Sequence, residues 1–163
     1  MTTSKKLYGF AVTLTALLTF SSSSVSMAAG TASGTAKVTV ISGLNLTNSR
    51  DLNFGTVVIG NSATGVVAAS DNANSAEFQV AGQASTSYNI VLPSAGTVMK
   101  KGAGGSADTE IAVGTFTTNK AGEASVLNAS GSDVFQVGGT RASLVASQQA
   151  GLYSGTFQVS VVY

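Results

Sequence analysis

The sequence predicts an all-β fold, an antiparallel sandwich of the immunoglobulin-like kind. Two observations carry this. Apolar residues recur at every second position in short runs, and the runs are separated by Gly, Asn, Asp and Ser at roughly ten-residue spacing. After Phe20 no stretch offers a sustained helical stripe. Alternation of this kind belongs to sheets with one dry and one wet face. A β-barrel is the alternative architecture; no repeat at solenoid period is present, which disfavours a β-helix.

The elements follow in chain order. The opening "MTTSKKLYGFAVTLTALLTFSSSSVSMAAG" has Lys5 and Lys6, an uncharged run from Leu7 to Phe20, and small residues at Ser26-Met27-Ala28. This is the layout of a secretory signal peptide over 1–28, cut after Ala28 or, alternatively, Ala29. The apolar run is shorter than the roughly 20 residues a membrane-spanning helix needs. In 30–46, Ala36, Val38 and Val40 alternate with Thr35, Lys37 and Thr39, and the phase resumes at Leu44 and Leu46. It reads either as an ordinary first strand or as a strand shaped for another molecule. The sandwich domain is placed at 47–163.

Within that domain Phe78 and Val80 alternate with Glu77 and Gln79, and Tyr88, Ile90 and Leu92 share a face that ends at Pro93. Ile111 and Val113 lead into "GTF", and Val126 and Leu127 lie between turn clusters. Phe135 and Val137 precede Gly138-Gly139, with Leu144 and Ala146 beyond. The last run is the most regular: Tyr153, Gly155, Phe157, Val159, Val161 and Tyr163 on one face, Ser154, Thr156, Gln158 and Ser160 on the other. Burying its large residues is worth about 1.5–3 kcal/mol each, so an ordered strand rather than a frayed tail is expected.

Composition narrows the function. Of eight basic residues two fall in the leader, leaving six against seven acids. A mature chain near neutrality is a poor nucleic-acid or anionic-membrane binder. About 135 residues suffice for one domain with a real core. Cysteine is absent, so no disulfide staples the fold and no lipid anchor sits on the first mature residue. Without histidine or cysteine, the common general base and the ordinary zinc ligands are missing.

No catalytic, cofactor or metal residue is therefore expected, and no enzyme. Asp108 and Glu110 could share a strand face but read as solvated turn residues. Asp71, Asn72 and Asn74 lack the spacing of a calcium loop. "GAGGSA" (102–107) satisfies a dinucleotide pattern in form, yet "DTEIAVGTF" continues it as a strand, whereas that motif must open a helix. It reads as a hairpin loop, with Lys100 and Lys101 as solubilising charges. "NLT" and "NAS" are uninformative sequons. Tyr88, Tyr153, Tyr163 and Phe54 read as packing residues rather than a sugar platform, and no tryptophan supplements them.

The phrases "LNFGTVV" (52–58), "AEFQVAGQASTSYNIVLPS" (76–94), "FQVGGT" (135–140) and "QQAGLYSGTFQVSVVY" (148–163) together resemble a family of secreted bacterial β-proteins, the domain-of-unknown-function family 4402. The ending also resembles chaperone–usher pilins, including spore-coat-protein-U-like subunits, in which a glycine about a dozen residues from the end precedes an alternating strand closed by tyrosine. Gly151 and Tyr163 match that description. Many such pilins carry a disulfide, which this chain lacks.

The resemblance implies a pilin-like sandwich one strand short, completed by a strand donated in trans. Residues 29–46 would be the donor extension, with Ala36, Val38, Val40, Leu44 and Leu46 as its knobs. Gly151, Tyr153, Phe157, Val159, Val161 and Tyr163 would border the acceptor groove and meet a periplasmic chaperone, the Tyr163 carboxylate anchoring its basic groups. It further implies a subunit of a fimbria or pilus, serving adhesion or biofilm, exported to the periplasm and then the cell surface or secreted. Its partners would be copies of itself or related subunits, a periplasmic chaperone and an outer-membrane usher, with no nucleic acid and no small-molecule substrate. The alternatives are a self-contained secreted sandwich and a carbohydrate- or ligand-binding module.

Overall fold

The computed structural model describes residues 31–163, so the expected leader at 1–28 lies outside the described residues. The chain divides into two units, 1–38 and 39–163. In the first, residues 31–38 carry no regular secondary structure and are exposed. The second holds nine strands: β1 (Asn45–Arg50), β2 (Gly65–Val67), β3 (Ala76–Ala81), β4 (Ser87–Val91), β5 (Thr97–Lys100), β6 (Glu110–Thr118), β7 (Ala124–Val126), β8 (Ser132–Arg141) and β9 (Ser160–Val162). A single 3-10 turn, Ala121–Glu123, precedes β7.

All pairings are antiparallel. The larger sheet runs β1-β3-β8-β6-β5, with β2 also on β8; the smaller runs β7-β4-β9. The two form a sandwich-like all-β body, as the alternation implies. Its core comes from both sheets: Ala76, Phe78, Val80, Phe135 and Val137 from the larger, Tyr88 and Ile90 from the smaller, and Leu127 just after β7. Phe78 and Phe135 face each other across the β3–β8 ladder and stack with centroids 5.4 Å apart. Tyr88 reaches through this core to donate to Asp133 Oδ2 at 2.9 Å, where Lys120 Nζ also lies 2.9 Å away.

Strand β8 is the axis of the body. Ala76–Ala81 pairs along its first half, Gly65–Val67 takes over on the same side at Gly139–Arg141, and β6 runs along the other side. Residues 135–139 are buried on both faces. Gly138 makes this possible: a Cβ there would run into the Val67 carbonyl oxygen, closer than any side chain tolerates.

A bulge in β6 alters the expected alternation. Gly114 pairs with Thr140 but Thr117 with Gly138, so two residues oppose one. Thr115 takes the strain at φ +50°. The phase flips there: Ile111 and Val113 face inward before the bulge, Phe116 after it. Phe116 then stacks on Phe157 at 4.8 Å.

The last segment differs from an uninterrupted strand over 153–163. Ser154 bridges Lys100 at the larger sheet's edge, while Ser160–Val162 pairs with Val91–Asn89 in the smaller. A segment that passes between sheets cannot hold one ladder throughout, and only its two ends are paired. The segment 30–46 also departs from one strand. Leu46 pairs with Val80 inside β1, so the domain boundary expected at 46/47 falls within a strand.

Candidate functional site

The inward face of the last segment lies as its alternation suggests, yet it is incompletely covered. Tyr153, Phe157, Val159 and Val161 are each only half-buried. Phe157, Val159 and Val161 nonetheless pack on the core, Phe157 meeting Phe78 edge-on at 6.2 Å. The cause is position: β9 is the last strand of its sheet and pairs with β4 alone. Among the described residues nothing forms a ladder along its other edge, which leaves a row of backbone donors and acceptors to solvent.

Beside this segment runs a cleft of about 480 Å³, walled by Asn48, Asp51 and Leu52 on one side and Tyr153–Phe157 on the other. Phe78 and Met99 also line it. Apolar lining and polar rims (Asn48, Asp51, Ser154, Thr156) make a trough suited to an extended amphipathic segment. Its walls are held firmly. Thr97 Oγ1 donates to the Thr156 carbonyl at 2.7 Å, and Ser154 exchanges two backbone bonds with Lys100. The Tyr153 hydroxyl accepts from Gln148 Nε2 at 2.9 Å and lies within donating distance of the Asp108 and Gln149 carbonyls. Gly151, at φ +147°, lies where a Cβ would meet the aliphatic end of Lys101.

Of the five residues named as donor knobs, Ala36, Val38 and Val40 are exposed, Val38 by 85% and Val40 by 86%. Leu44 and Leu46 pack against the body's own core instead. The expected donor is thus divided: residues 31–44 precede the first strand, and of these Leu44 already packs on the core. At the junction the Tyr163 hydroxyl donates to the Ser42 carbonyl and accepts from the Gln83 amide, both at 2.7 Å. Sequence reasoning did not single out Leu52 or Met99, which line the trough, because neither belongs to a conspicuous alternating run.

The remaining polar features serve local structure. Asp108 accepts from Gln149 Nε2 at 2.8 Å and from the Ser106 hydroxyl; the Ser106 bond chiefly holds its carboxyl below the usual range. Glu110 accepts from the Gly105 amide and pairs with Lys100 at 3.4 Å. Asp71 ties its own turn through Ala73 and Asn74, and the Asn74 side chain is the main cause of its lowered pKa. No group of three or more His, Cys, Asp or Glu is placed to hold a metal among the described residues. "GAGGSA" lies in the loop joining β5 to β6. Tyr88 is buried in the core; burial, then the Asp133 carboxylate, drives its phenol well above the ordinary value. Burial pushes the Asp133 carboxyl up, but bonds from Ser125, Lys120 and Tyr88 outweigh it and hold it below the usual range.

Comparison with known proteins is sparse. No curated protein and no solved structure matches this chain. One family model, described as Domain of unknown function (DUF4402), matches residues 44–163. The match opens at Leu44, where packing on the core also begins, and spans every strand of the body. The chain belongs to the DUF4402 family.

Proposed function

We propose that this protein is a non-enzymatic structural subunit of a bacterial surface fibre, in which each copy completes the sandwich of the next. On this reading the body is immunoglobulin-like and pilin-like, one strand short beside β9. Residues 31–43 of a neighbouring copy or related subunit fill the space. Export through the inner membrane, handling by a periplasmic chaperone and an outer-membrane usher, and a role in adhesion or biofilm belong to the same reading.

The observation that carries it is the open side of the last segment: β9 pairs with β4 alone, and Phe157 and Val159, which precede it, and Val161 within it are only partly buried. A strand laid there would add backbone bonds and cover these side chains at once. Once extended as a strand, Ala36, Val38 and Val40 would repeat on one face at about 6.6–6.8 Å. They are small enough for a trough of this size, and Lys37 and Thr39 would remain in water.

The test uses a variant lacking residues 31–43. It should be exported and folded but form no heat-resistant ladder, whereas the full mature chain forms one. Adding a synthetic 31–43 peptide should raise the variant's melting temperature and protect the amides of Phe157–Val161 from exchange. A ladder that persists without 31–43, or a peptide that protects nothing, defeats the proposal.

One observation favours a self-contained sandwich instead. Leu44 and Leu46 already pack in their own body, and Tyr163 clips Ser42 from within the same chain. That reading requires a single monomeric species from the full mature chain.

A further inference from the structure

A second cleft, of about 410 Å³, shares Leu52, Met99 and Tyr153 with the first but extends elsewhere, toward Phe54, Ile59, Ile111, Leu144 and Arg141. Its volume falls in the range of small-molecule sites, about 300–1,000 Å³, and its lining is of their kind, mostly apolar with few polar groups. Arg141 is the one charged residue in that lining.

Arg141 is unusual in its own right. It is 5% exposed, yet no carboxylate lies within ion-pair distance; the ion pairs of the described residues are Arg50–Glu77, Lys100–Glu110 and Lys120–Asp133. Only Nη1 is engaged, donating to the Ala63 carbonyl at 3.2 Å and the Ala142 carbonyl at 2.9 Å. Nε is buried without a partner, and Nη2 donates to no protein acceptor among the described residues. A guanidinium carries five N–H donors, so most of its capacity is unspent. A buried cation in this state is costly unless an anion completes it. Gly65 is what lets the side chain lie there: a Cβ at that position would stand 2.6 Å from Nε.

We infer that this cleft binds a small carboxylic acid with an apolar tail, its carboxylate accepting from Arg141 Nη2 and its chain lying along Phe54, Ile59 and Leu144. Charge complementarity selects the head group, since the lining has one cation and no acid. The apolar walls select the tail, at about 0.8 kcal/mol per buried methylene. Exposed Val58, Ile59 and Leu152 make the neighbouring surface apolar as well. The inference does not depend on fibre assembly, since the head-group residue Arg141 and the tail wall Phe54, Ile59 and Leu144 lie outside the trough, although the two clefts share Leu52, Met99 and Tyr153.

The test titrates octanoate and, as its uncharged counterpart, octanol into the purified mature protein, followed by calorimetry and by methyl shifts of Ile111 and Leu144. Octanoate should saturate and bind tenfold or more tightly than octanol, about the ratio that one charge-assisted hydrogen bond confers. Arg141→Gln should abolish that ratio. Because Arg141 is buried and its replacement endangers folding, Ile59→Trp provides a second variant: Ile59 is 48% exposed, and the indole should obstruct the cleft and remove binding of both probes. Equal affinity for octanoate and octanol, shifts confined to residues outside the cleft, absence of saturable binding, or undiminished binding by Ile59→Trp would each overturn the assignment. The ladder assay is read separately, so loss of either idea leaves the other intact.

Discussion

Strands β8 and β9 carry the same kind of alternating apolar residues and end in different states. Phe135 and Val137 in β8 are wholly buried, whereas Val161 in β9 and Val159 just before it are only partly buried. Residue type does not separate them; neighbours do. β8 has β3 and β2 on one side and β6 on the other, with the opposite sheet above and the 67–69 backbone below. β9 has β4 alone. Inward-facing side chains of a sandwich are covered by the facing sheet and by their lateral neighbours together, so a strand without a second neighbour stays half-wet however apolar its sequence.

The comparison can be broken most forcefully at β8. Phe135→Ala should destabilise the monomer by about 3–5 kcal/mol in chemical denaturation, because the cavity sits between two sheets that cannot collapse into it. Gly138→Ala should cost about 1–3 kcal/mol by the same measurement, since the obstacle is a carbonyl oxygen rather than a movable side chain. In the segment leading into β9, Phe157→Ala should cost the isolated monomer about 1–2 kcal/mol, less than full burial of the side chain is worth. On the proposed assembly it should instead weaken peptide-induced stabilisation strongly, a reversal that no ordinary core position would show. The smallest monomer effect should come from Tyr163→Phe, about 1 kcal/mol or less, read as faster exchange of the Gln83 amide.

A pH scan probes the core end of this contrast through the Tyr88–Asp133 pair, which ties β4 to β8. Asp133 has a depressed folded pKa, so its contribution is present above the ordinary carboxylate value and is lost as pH falls through the folded value. Tyr88 has a raised folded pKa, so folding favours the neutral phenol: stability holds below the ordinary phenol value, about 10, and declines as pH rises past it. Denaturation midpoints should therefore fall at both extremes. Asp133→Asn should make the acid limb shallower, the lowered carboxyls of Asp71 and Asp108 keeping the remainder, and Tyr88→Phe should flatten the alkaline one.

Much of this architecture was legible in the chain. Phe78, Val80, Tyr88, Ile90, Phe135 and Val137 fall in phase and lie in the core because period two is a local property of an extended backbone. Three features were not legible. The β6 bulge depends on Thr115 adopting a positive φ, which its residue type disfavours, so nothing local announces that Phe116 turns inward. The sheet change within 153–163 depends on which strands lie alongside, a long-range matter. Leu44 and Leu46 continue the phase of Ala36–Val40, and periodicity cannot tell a strand that pairs at home from one that does not. The trough between β1 and the last segment was legible only in part: Tyr153 and Phe157 stood out by alternation, while Leu52 and Met99 joined them through the fold.

The Tyr163 clip has a mechanical consequence. Its hydroxyl joins Ser42, at the threshold of the body, to the Gln83 amide just beyond β3. In a filament linked through 31–43, tension would enter each module at residue 42 and meet this clamp before it reached the β1–β3 ladder. The first yield point under a stretching load would then be one phenol, able to release and re-engage while the rest of the module stays shut.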